Sequence, residues 1–270
     1  MKQRIITALV LAPLVIFGIL WLPSAVLMAL AAAALLGGLW EWTRMAGLEG
    51  RVKRAAFLFA HAAVMAYLAW RGWPELFPWV VLLGVGFWIA ATFWLRFPGF
   101  AKSGRGACTL KLLAGTLLVL PTWCAIGLLH GSGAKGPQWT LFALLIVWAA
   151  DTFAFFAGRR FGGPKLAPSI SPAKTWSGFF GGLFGVVLLA FAVAPVFGIG
   201  LATLPWFILT SVFAGLAAVV GDLFESLVKR QAGVKDSSAL IPGHGGLFDR
   251  IDSIVAALPV FAFLKALLGL

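Results

Sequence analysis

The chain has 270 residues, 61% of them hydrophobic and only 11% charged, with a mean hydropathy of +1.00 and a net charge of +12. A water-soluble domain of this length carries about a quarter charged residues, so no water-facing surface can be built from this composition and the bilayer must act as solvent. In lipid every backbone polar group is satisfied internally, which leaves helix bundles or closed barrels; the apolar runs are long and continuous without two-residue alternation, so they predict helices.

Nine spans follow in chain order: 5–21, 24–40, 55–70, 79–95, 112–129, 139–157, 176–196, 204–223 and 251–268. Each is close to the ~20 residues that cross ~30 Å of hydrocarbon. Trp21, Trp40, Trp70, Trp79, Trp139 and Trp176 stand near span ends, as in interfacial aromatic belts. The expected fold is an all-α polytopic membrane protein, a bundle of about nine transmembrane helices. Residues 1–137 form an N-terminal region of about five helices, and 138–270 a catalytic region of about four. The first span is long for a signal peptide and a second follows at once, so it is read as a retained anchor.

All but three of the 21 Lys and Arg (Arg71, Lys135 and Lys265) fall in the N-terminus and in 41–54, 96–111, 158–175 and 224–250. Positive charge marks the cytoplasmic side. The N-terminus and those connections are therefore expected in the cytoplasm and the C-terminus outside, in a bacterial inner membrane. Topology and attraction to anionic lipid account for the charge, and nucleic acid is not needed as a partner. Cys108 and Cys124 have neither metal-ligand nor redox spacing and read as packing residues. Glu41, Glu49 and Glu75 sit at span edges, where solvation or a nearby Arg accounts for them; His61 and His130 are isolated and read as structural.

Six of the nine acidic residues lie after position 150. Asp151 falls inside an apolar run, where an ionisable group is a functional candidate; the alternative is a helix-end carboxylate paired with Arg159 or Arg160. A Gly/Pro break follows, and then Ser171, Lys174 and Thr175 are expected to open the next span. A helix N-terminus with a nearby Lys suits an anion; the alternative is an ordinary cap with a snorkelling Lys. Asp222, Glu225, Ser226 and Lys229 stand at i, i+3, i+4 and i+7, one helical face. Arg230, Lys235 and Asp236 come next, then Gly243-His244-Gly245-Gly246. Asp249, Arg250 and Asp252 open the last span, with the two aspartates three apart on one face. Carboxylates that hold Mg²⁺, basic groups that neutralise phosphate and glycines that admit a pyrophosphate suit phosphoryl or nucleotidyl transfer.

The stretch from Ser226-Leu227-Val228-Lys229-Arg230 through Lys235-Asp236 to Ile241-Pro242-Gly243-His244-Gly245-Gly246-Leu247-Phe248-Asp249-Arg250-Ile251-Asp252 resembles the signature of the phosphatidate cytidylyltransferase (CDP-diacylglycerol synthase) family. The Asp151 segment and Ser171-Pro172-Ala173-Lys174-Thr175-Trp176 also look like that family. Phe153 and Phe155 stand where Gly and Tyr are frequent, and Ala173 and Ser177 where Lys and Glu or Gln are common. The resemblance implies transfer of CMP from CTP to phosphatidate, giving CDP-diacylglycerol and pyrophosphate in phospholipid biosynthesis. It implies Mg²⁺, with a second cation as a further candidate, held by Asp222 and Asp249 with Asp252 and Glu225 as outer ligands. Lys229, Arg230, Lys235 and Arg250 would bind phosphates, Asp236 would belong to the catalytic set, and His244 with Gly245 and Gly246 would contact the triphosphate. Ser171, Lys174, Thr175, Asp151 and Ser226 would contact substrates. The partners are then CTP, phosphatidate and bilayer lipid, with a homodimer as a candidate assembly. Two other readings are a CTP-dependent lipid kinase and an anion transporter; the latter predicts charges near the midplane and repeated halves.

Overall fold

The computed structural model describes residues 2–72, 75–240 and 245–270. Ten α-helices and one short hairpin follow in order: α1 (Lys2–Trp21), α2 (Ser24–Met45), α3 (Arg51–Tyr67, continued by a π-helical turn at Leu68–Gly72), α4 (Phe77–Leu95), α5 (Arg105–His130) and α6 (Gly136–Phe161). Then come β1 (Lys165–Ala167), β2 (Ser171–Thr175), α7 (Trp176–Phe197), α8 (Leu204–Gln231), the single turn α9 (Phe248–Ile251) and α10 (Ile254–Leu267). Seven of them, α2 to α8, are long and apolar enough to cross a membrane. The all-helical membrane fold is as the composition predicts.

Several of the predicted ends move, among them those of α2, α5, α6 and α8. Helix α8 does not stop at Leu223 but runs its 28 residues to Gln231. At 1.5 Å per residue it is about 42 Å long, so about two turns of it overshoot a ~30 Å hydrocarbon core. The last predicted span starts late. A turn at Asp252 and Ser253 separates α9 from α10, whose 14 residues reach only about 21 Å. Its Ala256, Ala257 and Phe261 are nevertheless wholly buried, because α10 packs between α4, α5 and α8.

Helices α5 and α8 form the centre: 61% and 56% of their apolar windows are buried, against 17–33% in the other five. One apolar core runs through the bundle from Leu35 to Ala262. Close approach is bought by small residues, as membrane helices require. The stripe Gly178, Gly181, Gly182 and Gly185 on α7 lies against Ala154, Ala157, Ala150 and Phe153 of α6, and a Cβ at any of the four would collide or crowd. His61 bonds the Phe57 carbonyl and Thr116, and His130 bonds Ser24 and the Ile19 carbonyl; both serve the bundle.

The segment after α6 corrects the sequence reading. Gly162 and Gly163, with φ of 62° and 96°, end the helix, and the chain forms an antiparallel hairpin pairing Lys165 with Thr175 and Ala167 with Ser171. The buried Ile170 at its turn packs against Leu223 and Leu227 of α8. Arg230 of α8 reaches the Ile170 carbonyl through Nε at 3.4 Å.

Candidate active site

The charged end of α8 is where the predicted polar face appears. The Ser226 hydroxyl donates to Asp222 Oδ1 at 3.4 Å. Lys229 Nζ meets Glu225 Oε2 at 2.7 Å, one turn back, and Asp249 Oδ1 at 2.6 Å. The Glu225 and Asp249 side chains are only 1% and 6% exposed, so Lys229 is a cation clamped between two buried carboxyl groups. Such an arrangement is costly to assemble and costlier to break, because removing one member leaves an unpaired buried charge.

Asp249 is also the anchor of the loop that precedes it. Its Oδ2 accepts from the Ser237 amide at 2.9 Å, the Ser237 hydroxyl at 3.0 Å and the Gly246 amide at 2.8 Å. Burial alone would raise its pKa; hydrogen bonds with Glu225 and Lys229 and from the Gly246 and Ser237 amides outweigh that and hold it at about 2. It is therefore ionised at every physiological pH. Gly245 sits at φ 79°, and a Cβ there would crowd Asp249 Oδ2, so glycine is required both by conformation and by space.

Glu41, from α2, completes this loop and was missed by sequence reasoning. It is 5% exposed, not solvated, and no described arginine pairs with it. Its Oε2 accepts from the Ser237 hydroxyl at 2.8 Å and the Phe248 amide at 2.7 Å, and its Oε1 from the Ser238 hydroxyl at 2.5 Å and the Leu247 amide at 3.0 Å. One carboxylate thus holds both ends of the 237–248 segment. A Cβ at Gly246 would strike the Ser237 hydroxyl and Glu41 Oε2. Phe248 packs against Trp42, the residue beside Glu41, with the rings tilted and 5.1 Å apart. The only sequence signal was a carboxylate within an otherwise apolar run.

At the start of the same polar face of α8, Lys174 Nζ lies 2.5 Å from Asp222 Oδ2, with both side chains about one-quarter exposed. Lys174 also lines a cavity of about 430 Å³ between α6, the hairpin, α7 and α8. That cavity is mostly apolar (Ala150, Ala154, Phe155, Phe179, Leu183), with Asp151, Arg159 and Lys174 as its charged groups. The Asp151 carboxylate lies within electrostatic reach of Asp222, Lys174 and Arg250. The alternative pairing with Arg159 or Arg160 is not formed among the described residues; Arg160 sits instead over the Phe161 ring.

The predicted convergence of Ser171, Lys174 and Thr175 on a helix N-terminus is corrected. These residues form a strand, whose rise of ~3.3 Å per residue puts Ser171 about 13 Å from Thr175 rather than one helical turn away. Thr175 alone caps α7, accepting from the Gly178 amide at 3.2 Å, and its hydroxyl pairs with Ser177, which donates to the Gly162 carbonyl. Asp249 and Asp252 stand three apart on right-handed helical backbone, Asp252 at φ −52° and ψ −45°, and both lie beside Glu225. Asp249 also bonds the loop, while Asp252, past the end of α9, lies within electrostatic reach of Asp222 and Asp151. Lys235 and Asp236 are exposed on the connection after α8. His244 lies outside the described residues.

Among the described residues no three His, Cys, Asp or Glu side chains are grouped to hold a metal ion. A caged metal does not fit this site, but Mg²⁺ commonly takes only one or two carboxylates and fills its remaining positions with phosphate and water. The donors suit that mode. Asp222 Oδ2 and Asp249 Oδ1 each carry one ammonium, from Lys174 and Lys229, so both of these oxygens already face a compact cation.

Comparison with known proteins agrees with this chemistry. Residues 2–268 match the cytidylyltransferase family model. The chain is 40% identical to a phosphatidate cytidylyltransferase of Pseudomonas aeruginosa, over 98% of this chain and 96% of that protein. It is 37% identical to one of Haemophilus influenzae, over 97% and 98%, and 35% identical to one of Brucella abortus, over 95% and 90%.

Proposed function

The chain belongs to the cytidylyltransferase family, and from that premise we propose that this nucleotidyltransferase makes CDP-diacylglycerol from CTP and phosphatidate. A phosphate oxygen of phosphatidate attacks the α-phosphorus of CTP, the bond from that phosphorus to the β-bridging oxygen breaks, and pyrophosphate leaves. The nucleophile is already anionic, so no strong general base is required, and positioning with charge compensation supplies the catalysis.

The observation that carries this reading is the double engagement of Lys174. It lines the apolar cavity between α6, α7 and α8, and its ammonium touches Asp222 of the charged cluster. An amphiphile whose chains enter from the bilayer would thus deliver its phosphate to the carboxylate cluster. Lys174 would bind the phosphatidate phosphate. Lys229, Arg230, Lys235 and Arg250 would take the triphosphate, with the loop that carries Gly245 and Gly246 ordered by Glu41 and Asp249 as its backbone cradle. Mg²⁺, held by Asp222 and Asp249 with Asp252 beside them, would neutralise charge on the reacting phosphates. Lys174 and Lys229 would turn from those carboxylates to the substrates as phosphate enters.

The same reading sets the chain in a bacterial inner membrane with the N-terminus and the active site in the cytoplasm, where CTP is. The bias of basic residues to one set of connections supports that orientation. Purified protein given CTP, phosphatidate and Mg²⁺ tests the reaction: CDP-diacylglycerol and pyrophosphate should form in equal amounts, and the absence of either would overturn it.

A further inference from the structure

At the same end of the bundle, beside the Glu41 loop, lies a second cavity of about 590 Å³. It is walled by the turn after α2, the start of α3, the start of α5 and the end of α8, and none of the catalytic candidates lines it. Five basic side chains do: Arg44, Lys53, Lys102, Arg105 and Lys111, against a single acid, Glu49. No carboxylate among the described residues lies within 4.0 Å of any of the five.

Membrane topology explains exposed cations at a rim, and four of these are exposed. It does not explain Lys111, which is 3% exposed. Its one side-chain hydrogen bond among the described residues, to the Lys102 carbonyl, is 3.3 Å long, and an ammonium has three donors to satisfy. A buried cation without a counter-ion is unfavourable unless an anion is supplied. The start of α5 adds to the demand. Its cap residue, Gly104, lines the cavity and provides no side-chain acceptor, so the first amides of the helix have no side-chain cap.

We propose that this cavity is a second anion site, distinct from the catalytic cluster, that takes a phosphate-bearing ligand. Two sources share that chemistry: the headgroup of an anionic phospholipid and a free phosphate compound. The full-length protein in detergent, titrated with short-chain phosphatidylglycerol, short-chain phosphatidylcholine or inorganic pyrophosphate, distinguishes them through the saturable rise in thermal-unfolding midpoint. At least one of the two anions should bind, and phosphatidylcholine should not. A response to phosphatidylglycerol alone that the Lys102→Ser, Arg105→Ser protein loses identifies a lipid headgroup, and a response to pyrophosphate alone that the same protein loses identifies a soluble ligand; a pyrophosphate response that this protein retains belongs to the catalytic cluster and counts against the assignment. The double variant Lys102→Ser, Arg105→Ser should weaken binding roughly thirtyfold, and Lys53→Ser, on another element, roughly fivefold, at about a factor of five per cation. Lys174→Ala, in the catalytic cluster, should leave this binding within about twofold of wild type. Failure of both anions to bind, or wild-type affinity in the Lys102→Ser, Arg105→Ser and Lys53→Ser proteins, would overturn the assignment.

Discussion

The carboxylate of Glu41 accepts the backbone N–H of Phe248 at 2.7 Å, across 207 residues of sequence. With the Leu247 amide and the Ser237 and Ser238 hydroxyls it makes four charge-assisted hydrogen bonds in a buried setting, and such bonds are each worth ~1.5–3 kcal/mol. Glu41→Gln keeps the shape but turns one acceptor into a donor facing donors. It should lower the melting temperature and cut kcat about tenfold or more, through disorder of a loop that must meet the triphosphate. Steady-state kinetics and thermal melts check this; wild-type values for both would mean that Glu41 does not position the loop.

Asp222→Asn and Asp249→Asn remove charge without changing shape. Each should lower turnover at least about a hundredfold at saturating Mg²⁺, the scale on which electrostatic groups in such sites act. Retention of more than about a tenth of wild-type activity would remove that aspartate from the principal set.

Asp249 also contributes to stability through its charge. Asp249 is held at about 2, below the ~3.9 of an unfolded aspartate. A depressed carboxylate contributes stability that is fully present above the unfolded value and is lost as pH falls through the folded one. Thermal melts should therefore show a gap between wild type and Asp249→Asn that is constant from about pH 5 to 8 and narrows from about pH 4 toward 2. A gap that persists at the acid end would show that Asp249 acts by packing and not by charge.

The two lysines differ in burial. Lys229 is clamped between buried carboxyl groups, and Lys229→Met should cost about 3–5 kcal/mol of stability along with activity. Lys174 is one-quarter exposed and lines the apolar cavity, so Lys174→Ala should fold normally and raise the KM for phosphatidate more than that for CTP. Varying each substrate in turn decides it; a raised KM for CTP alone would reverse the assignment.

The helical bundle and the polar face of α8 were legible in the sequence for a physical reason. Long apolar runs have one stable solution in lipid, and Asp222, Glu225, Ser226 and Lys229 lie on one continuous helix, where spacing fixes neighbours. The hairpin was not legible: strands of three and five residues containing Pro172 and Lys174 carry no alternating pattern, and their anchor, Ile170, is recognisable only once Leu223 and Leu227 face it. That error turned a four-residue separation of Ser171 and Thr175 into an apparent cluster. Glu41 was illegible because its partners are two backbone amides and two hydroxyls about 200 positions away, and no local pattern encodes them.

The position of the label transferred from CTP tests the central claim most directly. The purified protein is incubated in detergent with phosphatidate, Mg²⁺ and CTP radiolabelled at either the α- or the γ-phosphate, and the lipid is extracted. Transfer of CMP puts the α-label into lipid and leaves the γ-label in water-soluble pyrophosphate. Entry of the γ-label into lipid, with the α-label left in solution, would make the protein a lipid kinase and contradict this account.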